Sequence, residues 1–304
     1  MKVLVTGGAG FIGSHLVDGL LKDGYKVIIF DDLATGEREN INKGAVFLEV
    51  DVRDVEKMER ILRQEAVSSI FHLAALPRVG FSIAEPLKTA QVNIQGTLNV
   101  FKAAIDTGVK RVVFASSSSV YGDRGEMLLK ESLSPEPISP YALQKFVGER
   151  FAVMFSRLYK ISIISLRYFN VFGSRLDFSS EYGLVIGKFL QQKARGAPLT
   201  IYSDGEQTRS FCYVDDTVDA TIEASKSKFL KGGEIINIGG KKSYSVNYLA
   251  SLIGGSTRNL SPKAGDVRHS RADNSLAKTL LKWEPTTAFE VGIKKTMNWY
   301  SSKY

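Results

Sequence analysis

"VTGGAGFIGSHL", residues 5–16, decides how this chain is read. It follows the apolar run "KVLVT" (2–6) and opens a helical period over 11–23 that Gly24 closes. Gly7, Gly10 and Gly13 have the spacing G-x-x-G-x-x-G. The first permits a tight turn, the second lets backbone N–H groups approach a pyrophosphate, and the third brings helix against strand. A helix N-terminus adds partial positive charge facing the phosphates. A plain glycine-rich strand–helix turn would carry the same triplet, so the second strand has to discriminate. "KVIIF" (26–30) ends in Asp31-Asp32, 18 residues past Gly13. An acid there accepts hydrogen bonds from the adenosine ribose hydroxyls and repels a 2′-phosphate, which predicts NAD rather than NADP. Asp51 and Val52, after "AVFLEV" (45–50), fall where the adenine edge is expected; the alternative is a cap for a helix starting near Asp54.

Further short runs rich in Val, Ile and Phe follow: "SIFHLA" (69–74), "RVVFAS" (111–116) and "ISIISL" (161–166). They are nearly continuous rather than alternating, as strands covered on both faces are. Helical periods separate the strands at 11–23, 54–65, about 86–107 and about 141–160. This alternation predicts an α/β fold, a doubly wound parallel sheet with right-handed crossovers. Residues 170–183 have no clear period and read as a loop, followed by helices at about 184–195 and 215–225 and a strand at 234–239. Three short helices are expected at about 245–253, 274–281 and 287–301. The organisation expected is a dinucleotide-binding domain over 1–168 with 213–240 woven back into it, and a smaller lobe from 169–212 and 241–304 that lacks its own core.

The 304 residues suffice for a sizeable core, and 44% apolar with 24% charged is ordinary for a globular protein. The net charge of +8 comes from scattered Lys and Arg, which favours an anionic small substrate over nucleic acid. One cysteine, Cys212, excludes an intramolecular disulfide and suits the cytoplasm. Three histidines without metal-ligand spacing argue against zinc. Neither a signal peptide nor a membrane-spanning run is expected.

"SSSSVYG" (116–122) ends the fifth strand, where an open α/β sheet binds its ligand. "SPYALQK" (139–145) places Tyr141 and Lys145 at i and i+4 on one helical face. About one Tyr-x-x-x-Lys is expected by chance in such a chain, so the pair needs context. In context it is chemically apt. A neighbouring ammonium and a positive nicotinamide ring would both stabilise a phenolate and pull the phenol down from its ordinary value of about 10. Such a tyrosine can take a proton from a sugar hydroxyl, with a strand serine hydrogen-bonded to the same oxygen.

Taken together, "TGGAGFIG", "FHLAA", "VNIQGTLN", "SSSSVYG", "YALQK", "RYFNVFG", "TRSFCYV" and "DVRHSRAD" resemble, in family order and over essentially the whole length, an extended short-chain dehydrogenase/reductase of the nucleotide-sugar epimerase/dehydratase family. The resemblance implies that Ser117, Tyr141 and Lys145 are catalytic. It assigns Phe11, Ile12, Leu33, Thr35, Gly36 and Phe169 to the NAD site. It places Leu73, Ala74 and Ala75 along the pyrophosphate and ribose, with Asn93 fixing that region. Asn170 would contact the UDP diphosphate, and Arg209 and Arg268 would hold phosphate or ribose, where the alternative is a surface ion pair. His72 is expected to pack near the cofactor without doing chemistry. Lys263 stands where many relatives have a phosphate-binding Arg. By the same analogy, the helices at about 86–107 and 141–160 would pair with a second subunit in a four-helix bundle; Phe101 and Ala104, with Phe151 and Phe155, suggest apolar character on more than one face.

Related dehydratases carry Asp-Glu directly after the catalytic Ser/Thr; here those places hold Ser118 and Ser119, which cannot supply an acid and a base near neutral pH. Their absence favours 4-epimerisation through a transient 4-keto sugar with NAD retained and recycled. "RYFN" with "DVRHS" most resembles UDP-glucose/UDP-galactose 4-epimerases. Ser270 aligns with a bulky Tyr of some relatives and leaves room for an N-acetyl group, so UDP-GlcNAc and UDP-GalNAc are also expected to fit. The readings kept beside this one are another NAD-dependent nucleotide-sugar enzyme, such as a UDP-glucuronate epimerase, decarboxylase or reductase, and a non-catalytic NAD-sensing protein.

Overall fold

The structure, a computed structural model, describes residues 1–176, 185–261 and 267–304. In chain order the first half gives Lys2–Thr6 (β1), Phe11–Lys22 (α1), Lys26–Asp31 (β2), Val46–Glu49 (β3), Val55–Glu65 (α2) and Ser69–His72 (β4). Two short helices follow, Val79–Ala84 (α3) and Pro86–Ala90 (α4). A π turn over Gln91–Gly96 leads into Thr97–Asp106 (α5), and then Arg111–Ser117 (β5), Leu128–Leu129 (β6), Pro140–Tyr159 (α6) and Ser162–Tyr168 (β7). The single helix expected over 86–107 is thus interrupted by the wider π turn.

Seven strands form one parallel sheet. Past β7, Val171–Phe172 (β8), Val185–Ala194 (α7), Leu199–Tyr202 (β9), Thr208–Ser210 (β10), Cys212–Tyr213 (β11) and Val214–Lys226 (α8) lead to Ile235–Ile238 (β12). The sheet order is β12-β7-β5-β4-β1-β2-β3. The chain reverses direction across the sheet between β1 and β4, which pair in parallel with Thr6 opposite His72. That switch point opens a crevice beyond the carboxyl ends of the strands. Strand period 2 feeds two cores. Val3, Val5, Val27 and Ile29 face Leu16, Val17 and Leu20 of α1 and Val218 and Ile222 of α8. Leu4, Ile28 and Phe30 face Met58 and Leu62 of α2 and Val100, Phe101 and Ala104 of α5.

The remaining elements are Ser243–Ser245 (β13), Val246–Ile253 (α9), Thr257–Leu260 (β14), His269–Ala272 (β15), Ser275–Leu281 (α10) and Phe289–Lys303 (α11). A four-stranded sheet, β13-β10-β15-β6, and two strand pairs, β11-β8 and β14-β9, build the lobe over the crevice. The stretch read as a loop over 170–183 contains β8, which pairs with β11; residues 177–183 lie outside the described residues, as does Lys263. The lobe's Leu199, Ile201, Leu249, Phe289 and Ile293 belong to the same apolar cluster as Val3 and Ile164 of the sheet. Among the described residues, no helix is long and apolar enough to cross a membrane, and no group of three or more His, Cys, Asp or Glu could hold a metal.

Candidate active site

The glycine loop is built for close approach. Gly7 is left-handed at φ 73°, and a Cβ there would lie 2.7 Å from the Ala74 backbone nitrogen. A Cβ on Gly13 would lie 2.0 Å from the Gly7 carbonyl oxygen. Gly10 precedes α1 and offers no side-chain cap, and the first turn of the helix carries no acid. Phe11, Ile12 and Gly13 therefore start an uncapped helix whose N–H groups and dipole face the crevice, which fits a pyrophosphate. Leu73 and Ala74 are held against this loop: Leu73 N–H donates to the Thr6 carbonyl at 3.1 Å and Ala74 N–H to Thr6 Oγ1 at 3.3 Å. Asn93, 1% exposed, fastens the stretch past Ala75. Its Oδ1 accepts from Leu76 N–H at 2.8 Å and its Nδ2 donates to the Leu76 carbonyl at 3.1 Å.

Asp31 is buried at the end of β2, where its carboxylate accepts from Ala9 N–H and Leu33 N–H, both at 2.9 Å. Burial pushes this carboxyl above the usual range despite those bonds. Asp32 is exposed and accepts from Ala34 N–H at 3.0 Å. Gly36 closes the same corner, since a Cβ there would sit 2.7 Å from Asp31 Oδ1; Thr35 beside it is exposed. The two acids thus stand together, with a buried one shaping the turn and an exposed one beside it. The "VDVRD" stretch takes in part its alternative reading. Asp54 caps α2 through Lys57 N–H at 3.0 Å, and Asp51 pairs with the Arg53 guanidinium. Val52 is buried at 5% exposure.

Ser117, Tyr141 and Lys145 converge at the crevice from two elements. β5 ends at Ser117, whose hydroxyl oxygen accepts from Ser119 N–H at 3.2 Å and Ser119 Oγ at 2.9 Å. Ser139 caps α6 by accepting from Ala142 N–H at 3.2 Å, with Pro140 in the first turn. This start fixes the face on which Tyr141 and Lys145 sit. The Lys145 ammonium donates to the Ala115 carbonyl at 2.8 Å, and its nitrogen lies 6.0 Å from the Tyr141 ring centroid. In the protein alone, burial pushes the Tyr141 phenol up to about 12, against the Ser117 hydrogen bond and the Arg78 charge. Lys145 is itself pulled down to about 7 by burial, with Glu149 opposing. His72 is fully buried between the hydroxyls of Thr6 (2.7 Å) and Thr97 (3.0 Å).

The Phe169 side chain is wholly buried and packs on Tyr121, with ring centroids 6.2 Å apart. Arg268 adopts the surface ion-pair geometry, donating to Asp204 at 2.8 and 2.7 Å. A diphosphate would have to exchange with that carboxylate. Arg209 lies in register with Ser270 across β10 and β15, and its Nη1 donates to the Thr208 and Arg268 carbonyls at 3.0 and 3.2 Å. Ser270 is 7% exposed. Asn170 is left-handed at φ 38° and donates to the Ser210 carbonyl at 3.2 Å. β10 thus gathers Asn170, Arg209 and Ser270 on the lobe side of the crevice. Sequence reasoning missed Glu149 and Arg167, a buried ion pair under the site. Their signal was a charge inside an apolar strand and an acid one helical turn past Lys145.

The profile of the NAD dependent epimerase/dehydratase family matches residues 3–239. The UDP-glucose 4-epimerase of Thermotoga maritima, solved with UDP-glucose, superposes with a TM-score of 0.95 at 38% identity, covering 100% of this chain and 99% of that one. A UDP-N-acetylglucosamine 4-epimerase from Methanobrevibacter ruminantium, solved with UDP-N-acetylmuramic acid, gives 0.93 at 38% identity with the same coverage. A UDP-glucuronate 4-epimerase of Thermodesulfobacterium geofontis is 35% identical over 315 residues, covering 97% of this chain and 95% of the relative.

Proposed function

Because the chain belongs to the NAD-dependent epimerase/dehydratase family, we propose that it is an isomerase that inverts C4 of a UDP-hexose, converting UDP-galactose to UDP-glucose. The observation that carries this reading is the convergence of Ser117, Tyr141 and Lys145 with Ser118 and Ser119 following, where elimination of water would need acids. Phe11, Ile12 and Gly13 would hold the pyrophosphate of NAD, and Asp31 and Asp32 the adenosine ribose. When bound, NAD would supply the acceptor and then the donor of the C4 hydride, with no net redox change, so it would be retained.

The chain's own residues handle the proton. Tyr141 takes it from the 4-hydroxyl and later gives it back, while Ser117 hydrogen-bonds the same oxygen. Burial pushes Tyr141 up to about 12 in the protein alone, and a cationic nicotinamide beside the ring would favour its phenolate. Lys145 adds its charge when protonated. Asn170 and Arg209 would hold the UDP diphosphate, the planar guanidinium suiting phosphate oxygens. The small Ser270 beside Arg209 favours a second reading for the sugar, in which UDP-GlcNAc and UDP-GalNAc also fit.

Proton NMR of the purified protein with UDP-galactose and no added nicotinamide tests the proposal. UDP-glucose should appear without accumulation of NADH, and Tyr141→Phe should abolish turnover while retaining NAD. Conversion of UDP-glucuronate alone would move the assignment to that sugar. A wild-type protein that turns over none of these sugars, with or without NAD, would defeat it.

A further inference from the structure

Behind Tyr141 and Lys145 lies a charge pair that the proposed reaction does not use. Glu149 follows Lys145 by one turn of α6 and is 0% exposed; Arg167, near the carboxyl end of β7, is 1% exposed. Arg167 Nε donates to Glu149 Oε1 at 2.8 Å and Nη2 to Oε2 at 2.7 Å. Ser116, adjacent to Ser117, donates through Oγ to the same Oε1 at 2.6 Å. The guanidinium carbon stands 4.5 Å over the Tyr121 ring. The Tyr121 hydroxyl donates to Asn237 Oδ1 at 2.7 Å. Asn237 in turn donates to the carbonyls of Leu129 at 2.9 Å and Asp273 at 3.3 Å, in and beside the lobe strands β6 and β15.

Fastening α6 to β7 does not require charge. A buried ion pair repays its desolvation only in part, and well-packed apolar side chains of similar volume hold two elements together as well or better. What apolar side chains cannot supply is a negative charge one turn from a buried ammonium and an acceptor for Ser116. We propose that the Glu149–Arg167 pair is a positioning device for the site: Glu149 sets a carboxylate one helical turn from the Lys145 ammonium and, through Ser116, sets the strand end that carries Ser117. Arg167 holds that carboxylate in place.

The groups around Lys145 bear this out. Its own helix contributes Tyr141 and Glu149. β4 contributes His72, held neutral at about 3 by burial and by the Lys145 charge. β5 contributes the Ala115 carbonyl at 2.8 Å and the Phe114 ring, whose centroid is 4.9 Å from the ammonium; β7 contributes Arg167 behind Glu149. Arg78, preceding α3, acts on Tyr141. Glu149 is the one charge that raises Lys145 against burial.

The inference rests on Lys145 being catalytic as proposed, and its test is separable from that. Lysine carrying 13C at Cε is incorporated, the Lys145 resonance is assigned by its loss in Lys145→Arg, and its titration is followed without any sugar. In Glu149→Gln the midpoint should fall by about one pH unit or more, the size expected for loss of an adjacent opposite charge. Glu149→Gln/Arg167→Met removes both partners of the ion pair together and keeps an oxygen for Ser116, so it serves if the single variant does not fold; the same downward shift is expected. In turnover, the basic limb of the kcat profile should move to lower pH with KM unchanged. A folded double variant with an unmoved Lys145 midpoint and only a lower melting temperature would overturn the inference. If the wild type turns over no nucleotide sugar, the proposed function falls while the titration still decides this point.

Discussion

His72 ends β4 at the crevice with a hydroxyl on each ring nitrogen. The Thr97 hydroxyl donates to the Asn93 carbonyl at 2.8 Å, so at 3.0 Å it accepts from His72 Nε2–H. Nδ1 then accepts from Thr6, whose oxygen receives Ala74 N–H. A neutral ring is therefore part of the scaffold that sets the Ala74 backbone against Gly7. Burial first, and the Lys145 charge second, hold His72 down at about 3, against 6.5 when exposed. Between those values the unfolded chain binds a proton that the folded one does not, so stability rises with pH there and is lost as pH falls. Denaturant melts from pH 7 to 4 should show wild type losing on the order of a few kcal/mol more than His72→Gln; parallel curves would contradict the buried neutral ring. Ser270 carries the substrate prediction at this scale. Ser270→Tyr should cut kcat/KM for the N-acetylated pair by about 10-fold or more, the size of a steric pocket effect, and spare UDP-galactose. Equal loss for both pairs would remove Ser270 from sugar selection. Motifs fix both type and spacing at Gly7, Tyr141 and Lys145, so these positions could be singled out from the sequence. Tertiary partners carry no such signal: Arg268 meets Asp204 from 64 residues away, and Phe169 packs on Tyr121.

α6 is the element on which most of the site depends, and it also carries an open apolar face. Leu143, Met154, Leu158 and Tyr159 are 50, 42, 64 and 50% exposed, and Ile83 of α3 and Leu87 of α4 are 62 and 80% exposed. Phe101 and Ala104 of α5, by contrast, are fully buried in the core on their own side of the sheet. Exposed large apolar side chains on one helix and its neighbours point to an association site. A homodimer through α6 is the expected state, and light scattering should give twice the 33.5 kDa chain mass. Leu158→Glu should shift the mass toward the monomer; a wild type that is monomeric at working concentration would end the idea. The strands were legible because burial on both faces leaves continuous apolar runs, and α1, α2 and α6 because they bring caps or glycine stops. The π turn was not, because nothing in "QVNIQG" departs from helical composition. It follows from what Asn93, Gly96 and Thr97 must reach: Leu76, the close-packed Val52 and His72. Nor were α3 and β8 legible, being too short for any period to establish itself.

The late part of the chain shares its apolar cluster with one face of the sheet. Residues of the sheet and of the late lobe, Ile164 and Ile293 among them, share a single apolar cluster, and polar staples reinforce it. Asp216 on α8 accepts from Thr286 N–H and Thr287 N–H at 3.1 and 3.0 Å, while Trp283 Nε1 donates to its carbonyl at 3.0 Å. Arg111 at the start of β5 donates to the carbonyls of Ala224, Ser225, Ser227 and Leu230 at 3.3, 3.0, 2.8 and 2.9 Å, closing the end of α8. Asn237 on the edge strand of the sheet holds the lobe's Leu129 and Asp273. A lobe that has no separate core cannot unfold and leave the sheet intact, because its departure would expose the apolar face of the sheet it covers. Calorimetry of the protein should therefore give one transition, with van't Hoff and calorimetric enthalpies equal. NAD contacts the carboxyl ends of several strands at once in the proposed site, so adding it to cofactor-stripped protein should move that whole transition upward by about 2.7 kcal/mol at a hundredfold excess over Kd. Two resolved transitions, with NAD shifting only one, would mean that the lobe folds by itself and that the shared cluster is a docking surface rather than a common core.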